Sequence, residues 1–62
     1  GALYYYDNGR SPAPGLIELD GYYYFVDWGG KLITNQKFYV WETNGYSLKM
    51  TYTFNELGQI VL

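Results

Sequence analysis

Tyr46, Leu48, Met50, Tyr52 and Phe54 alternate with Ser47, Lys49, Thr51 and Thr53. A period of two marks a strand with one packed and one wet face. It predicts Leu48, Met50, Tyr52 and Phe54 buried together, with Lys49, Thr51 and Thr53 in water. Turn signals punctuate the chain at Asn8-Gly9, Asp20-Gly21, Gly29-Gly30, Asn44-Gly45 and Leu57-Gly58. Asn-Gly and Asp-Gly favour two-residue hairpin loops, because a type I′ turn needs positive φ at both central residues. Such a loop at Asp20-Gly21 sets Leu19 opposite Tyr22 and Ile17 opposite Tyr24 on one face. Glu18 with Tyr23 and Leu16 with Phe25 then share the other, and the first face is the more apolar. The same loop at Asn44-Gly45 sets Trp41 opposite Leu48 and Tyr39 opposite Met50. Val40 with Lys49 and Glu42 with Ser47 fall on the opposite side. Beyond a turn at Asn55 to Gly58, Gln59 to Leu62 returns as a last strand. No stretch has a helical period, and Pro12 and Pro14 make Ser11 to Gly15 a loop or extended linker. The pattern predicts an all-β fold, an antiparallel meander of consecutive β-hairpins.

Composition narrows the chemistry. With 62 residues the chain is one small domain or a fragment of something longer. Its core is small and marginal without neighbours. It has no cysteine and no histidine, so disulfides, thiolate metal sites and the usual general base are missing. Ser11 and Ser47 have no imidazole to activate them. Asp7, Glu18, Asp20, Asp27, Glu42 and Glu56 are scattered, several at turns where Asp bonds local backbone. No enzyme, metal or cofactor is expected. Net charge is −2, from four basic and six acidic side chains, which leaves no basic patch for nucleic acid. No apolar run reaches the ~20 residues of a membrane span. Gly1 rather than Met stands first, consistent with a trimmed leader.

Aromatic content changes the picture. It reaches 23%, with nine Tyr, three Phe and two Trp. Mean hydropathy is nevertheless −0.26, because tyrosine packs its ring and keeps its hydroxyl wet. The apolar C–H face of a pyranose stacks on such rings, so Trp28, Tyr22, Tyr24, Tyr39 and Trp41 are candidates for an aromatic platform. Trp28 lies inside a turn beside Gly29-Gly30, where a large apolar side chain is unusual. An exposed Trp there implies a ligand, a partner or a neighbouring repeat; folding back over its own hairpin is the alternative. Tyr39 and Trp41 share the predicted face of Leu48 and Met50, so a place in the core competes with stacking.

One phrase recurs: an aromatic-rich strand, an acidic or amide residue, a turn glycine, a short strand. Its copies are Leu3 to Gly9, Tyr23 to Leu32, Phe38 to Gly45 and Thr51 to Gly58. Units this short cannot close a core alone and must stack. The run Gly15-Leu16-Ile17-Glu18-Leu19-Asp20-Gly21-Tyr22-Tyr23-Tyr24-Phe25-Val26-Asp27-Trp28-Gly29-Gly30-Lys31-Leu32-Ile33-Thr34 resembles the cell-wall-binding repeat family. That family comprises the aromatic- and glycine-rich repeats of choline-binding and glucan-binding proteins. The run has the opening Gly, the Asp-Gly turn, the aromatic cluster, the Asp, the second turn Gly and the Thr. Leu16 replaces the Trp after the opening Gly, Tyr23 the first Trp of the cluster, Leu32 a frequent Met, and Asn35-Gln36 the closing Gly-Trp. In choline-binding members those Trp residues cage a quaternary ammonium by cation–π attraction. Without them, the resemblance implies a surface-attached hairpin repeat that reads glycan rather than choline.

The expected function is a non-catalytic module, binding cell-wall polysaccharide or another glycan by aromatic stacking. The alternative is a structural stalk, or a protein–protein adhesion module, with no glycan ligand. The resemblance implies a secreted or bacterial cell-surface location. Expected partners are the glycan and adjoining repeats or domains of the same protein, with self-association through edge strands. Residues 1–62 read as one module, with units at about 3–14, 15–35, 36–50 and 51–62, cut from a larger secreted protein.

Overall fold

The computed structural model describes residues 3–6 and 13–62. Five strands follow in order: β1 (Gly15–Leu19), β2 (Tyr22–Val26), β3 (Gln36–Tyr39), β4 (Thr51–Phe54) and β5 (Ile60–Val61). β1 and β2 make a two-stranded sheet, and β3, β4 and β5 a three-stranded one in that order. Every strand pairing is antiparallel, and the described residues contain no helix. The predicted all-β meander is the fold. The Asn8-Gly9 turn and residues 11 and 12 of the proline linker lie outside the described residues.

Asp20-Gly21 closes the first hairpin with φ of 52° and 84°. Its register is the predicted one, Leu19 with Tyr22, Ile17 with Tyr24 and Leu16 with Phe25. The second connection at each level is a different device. Asp27 Oδ1 accepts from the N–H groups of Gly29 at 2.9 Å and Lys31 at 3.0 Å. Asn55 Oδ1 accepts from those of Leu57 and Gln59, both at 2.9 Å. A short acceptor side chain thus replaces a backbone carbonyl inside the turn. Asp27-to-Gly30 and Asn55-to-Gly58 are two copies of one turn, which accounts for half of the repeat read from the sequence. Gly58 is required twice over. Its φ is 83°, and an added Cβ would meet Ile33 O at 3.3 Å and Leu32 Cβ at 3.4 Å.

The two sheets meet in one core. Leu16, Phe25, Val40, Phe54 and Ile60 are buried, with Tyr23, Ile33, Phe38, Tyr46, Leu48 and Tyr52 packed on them. A backbone clasp holds the sheets together. Leu16 N–H donates to Glu42 O at 3.0 Å, and Asn44 Nδ2 donates to Leu16 O at 2.7 Å. The amide lies where a side chain at Gly15 would be: a Cβ there would stand 2.6 Å from Asn44 Nδ2.

Two expectations need correction. The Asn44-Gly45 turn exists, with φ of 50° and 93° and Tyr46 N–H donating to Thr43 O at 2.9 Å. The ladder beyond it has slipped by one residue. Tyr39 pairs with Thr51 and Phe38 with Tyr52, and Val40 N–H donates to Met50 O. A slip of one exchanges the two faces of a strand. Val40 is therefore fully buried, while Tyr39, Trp41 and Met50 are exposed. Within β4 the predicted alternation holds, with Phe54 buried, Tyr52 half-buried and Thr51 and Thr53 in water; ahead of it Leu48 is half-buried and Lys49 exposed, but Met50, expected in the buried set, faces water. The clasp explains the slip, because it draws residues 42–44 toward β1 and away from a flat hairpin. In the first hairpin, the less apolar face is the one buried, through Leu16 and Phe25. Phe38 and Trp41 arrive on that side and cover it.

Candidate functional site

Two kinds of aromatic surface arise from these registers. The first is a packed seam. Trp41 lies 4.7 Å from Phe25 and 5.6 Å from Phe38, centroid to centroid. Phe38 in turn lies 5.0 Å from Phe25 and 6.4 Å from Phe54. Tyr23 and Tyr46 meet edge to face at 5.2 Å. At these separations the rings touch one another. The seam is filled by its own members and joins β2 to β3 and β4.

The second kind is exposed. Trp28 projects from the Asp27 turn with 79% of its surface in water. Its backbone is nonetheless fixed, because Asp27 bonds both sides of the loop and Gly30 N–H returns to Asp27 O at 3.1 Å. Tyr22 begins β2 opposite Leu19 and is half exposed. Tyr24 is half-buried, and its hydroxyl accepts from Gln59 Nε2 at 3.4 Å. Tyr39 is half exposed on the outer face of β3, opposite Thr51. Of the five candidates, Trp41 alone takes part in a close ring pair among the described residues, and its partners are Phe25 and Phe38.

Sequence reading missed one pair. Tyr4 and Tyr6 stand 6.3 Å apart with planes 10° from parallel, and both are more than half exposed. Their segment lies along the second strand of the Asp27 turn: Tyr5 N–H donates to Gly30 O and Leu32 N–H to Leu3 O, both at 2.8 Å. The signal was the spacing of two tyrosines at i and i+2, which points both to one side of a strand. Its partner strand could not be read from local pattern.

Among the described residues no three His, Cys, Asp or Glu side chains gather into a metal site. No buried side-chain polar atom among them is unsatisfied. No helix among the described residues is long and apolar enough to cross a membrane.

Tight hairpins alternating with capped turns, and rings packed between successive units, define a β-hairpin repeat module. No family model matches the chain, and no curated protein does. Among solved structures, it superposes on the choline-binding domain of Spr1274 from Streptococcus pneumoniae with a TM-score of 0.72. The two share 26% identity, over 100% of this chain and 83% of that one. In fold the chain is similar to a cell-wall-binding repeat of the choline-binding type.

Proposed function

We propose that residues 1–62 act as a non-catalytic module that attaches to cell-wall polysaccharide by aromatic stacking. The observation that carries this reading is Trp28. A residue that buries so much apolar area elsewhere is here held in water, on a turn whose backbone is locked. A loop backbone already held in place does not have to be ordered when the ligand arrives, which lowers that part of the entropy cost of binding. Tyr22, Tyr24, Tyr39 and Trp41 extend the candidate surface in this reading. The likeness to a choline-binding domain supports a role at a bacterial surface, within a larger secreted protein. The units proposed for such an array are 3–14, 15–35, 36–50 and 51–62. The exposed edge of β5, with Val61 and Leu62 largely in water, is the proposed contact for an adjoining repeat or a second copy.

Choline itself is the second reading, favoured by that likeness. Two observations weigh against it. Leu16, which stands where the family carries a cage Trp, is a buried aliphatic, and Gln36 supplies no ring. The rings of the Trp41 seam contact one another, so they leave no space between them for an ammonium group. Retention of the chain on insoluble cell-wall material, challenged with free polysaccharide or with choline, tests the proposal. Release by polysaccharide alone is expected. Release by choline alone, or no retention, contradicts it.

A further inference from the structure

The Tyr4–Tyr6 pair has a charged neighbour. Tyr4 bridges Lys31 across the antiparallel pair. The flanking bonds run from Tyr5 N–H to Gly30 O and from Leu32 N–H to Leu3 O. Tyr4 and Lys31 are therefore a non-hydrogen-bonded pair, the arrangement that brings side chains closest. Tyr6, two residues on, presents its ring on the same side. Lys31 is exposed, and its ammonium has no ion pair among the described residues. Its nearest acid in sequence, Asp27, turns Oδ1 inward to the N–H groups of Gly29 and Lys31 itself. The result is two near-parallel rings with an exposed lysine paired across the strands from one of them.

Each part favours a different portion of one ligand. The rings take the apolar face of a sugar. The ammonium gains nothing from a neutral sugar but attracts an anionic substituent. We infer that Tyr4, Tyr6 and Lys31 form a subsite for a pyranose bearing a negative charge, as carboxylate or as phosphate. The inference rests on the glycan-binding reading above and narrows its ligand class.

Affinity is to be measured for the full chain against polygalacturonate, a phosphomannan and neutral dextran. At low salt, one exposed ion pair corresponds to about a two- to fivefold preference for the charged polymers. The preference should close as salt approaches molar strength, where screening acts over about 3 Å. Comparing the two anionic polymers separates carboxylate from phosphate. Lys31→Gln should erase the preference and leave dextran binding unchanged, while Lys31→Arg keeps it. Tyr6→Ala should weaken all three polymers. Melting curves establish that each variant is folded. Equal binding of charged and neutral polymers by the parent chain, or a preference that survives Lys31→Gln, overturns the subsite and leaves the broader reading standing. Binding of none of the three overturns both.

Discussion

Replacing Asn44 with Asp changes one donor group into an acceptor and leaves size and turn preference nearly intact. Both residues tolerate the positive φ that position 44 adopts. The variant therefore tests the clasp and not the turn. In the parent chain Asn44 Nδ2 donates to Leu16 O at 2.7 Å in a part-buried contact. In the variant a carboxylate oxygen faces that carbonyl oxygen. The lost bond costs about 1 kcal/mol, and a poorly hydrated carbonyl without a donor adds about 1 kcal/mol more. For a domain of this size a loss of about 2 kcal/mol lowers the melting temperature by roughly 8–16 °C. Asn44→Gly keeps the positive φ and removes only the amide, so it should melt between the two. The assay is thermal unfolding followed by aromatic circular dichroism, which reports the Phe25, Phe38 and Trp41 seam directly. If Asn44→Asp melts within about 2 °C of the parent, the clasp does not hold the two sheets together.

Asp27→Ala leaves two turn N–H groups to water and should cost about 1 kcal/mol, whereas Asp27→Asn should be nearly neutral, because Asn55 already performs the same capping; denaturant titration distinguishes them. Met50→Thr should change stability by less than about 0.5 kcal/mol, since the side chain faces water; a loss of 2 kcal/mol or more would restore the register read from sequence. Choline at millimolar concentration should leave tryptophan fluorescence and melting temperature unchanged; a saturable shift would place a choline site on this chain.

The register of the Asp20-Gly21 hairpin was legible because it depends on two residues and their φ preferences. The strand period at Tyr52 and Phe54 was legible for the same local reason. The Asn44-Gly45 hairpin misled, although its turn chemistry was read correctly. There the ladder answers to Leu16, far away in sequence, whose backbone takes both Glu42 and Asn44 as partners. That non-local demand shifts Val40 inward and turns Tyr39 and Met50 out. The choice of face in the first hairpin was hidden likewise, since Phe38 and Trp41 decide which side of β2 is covered. Trp28 was recognisable as a candidate from its place beside two glycines. Tyr4 and Tyr6 were visible as residues but not as a site, because Lys31 reaches them only through strand pairing.

The central claim is that Trp28, exposed on a hydrogen-bonded turn, binds glycan and is dispensable for folding. Retention on insoluble cell-wall polysaccharide and melting temperature, measured together for the parent chain and Trp28→Ala, test it most directly. The account predicts a variant that melts like the parent, within about 0.5 kcal/mol for an exposed side chain, and is no longer retained. A variant destabilised by about 3 kcal/mol or more, as for a core aromatic, would contradict it. So would a stable variant retained as well as the parent.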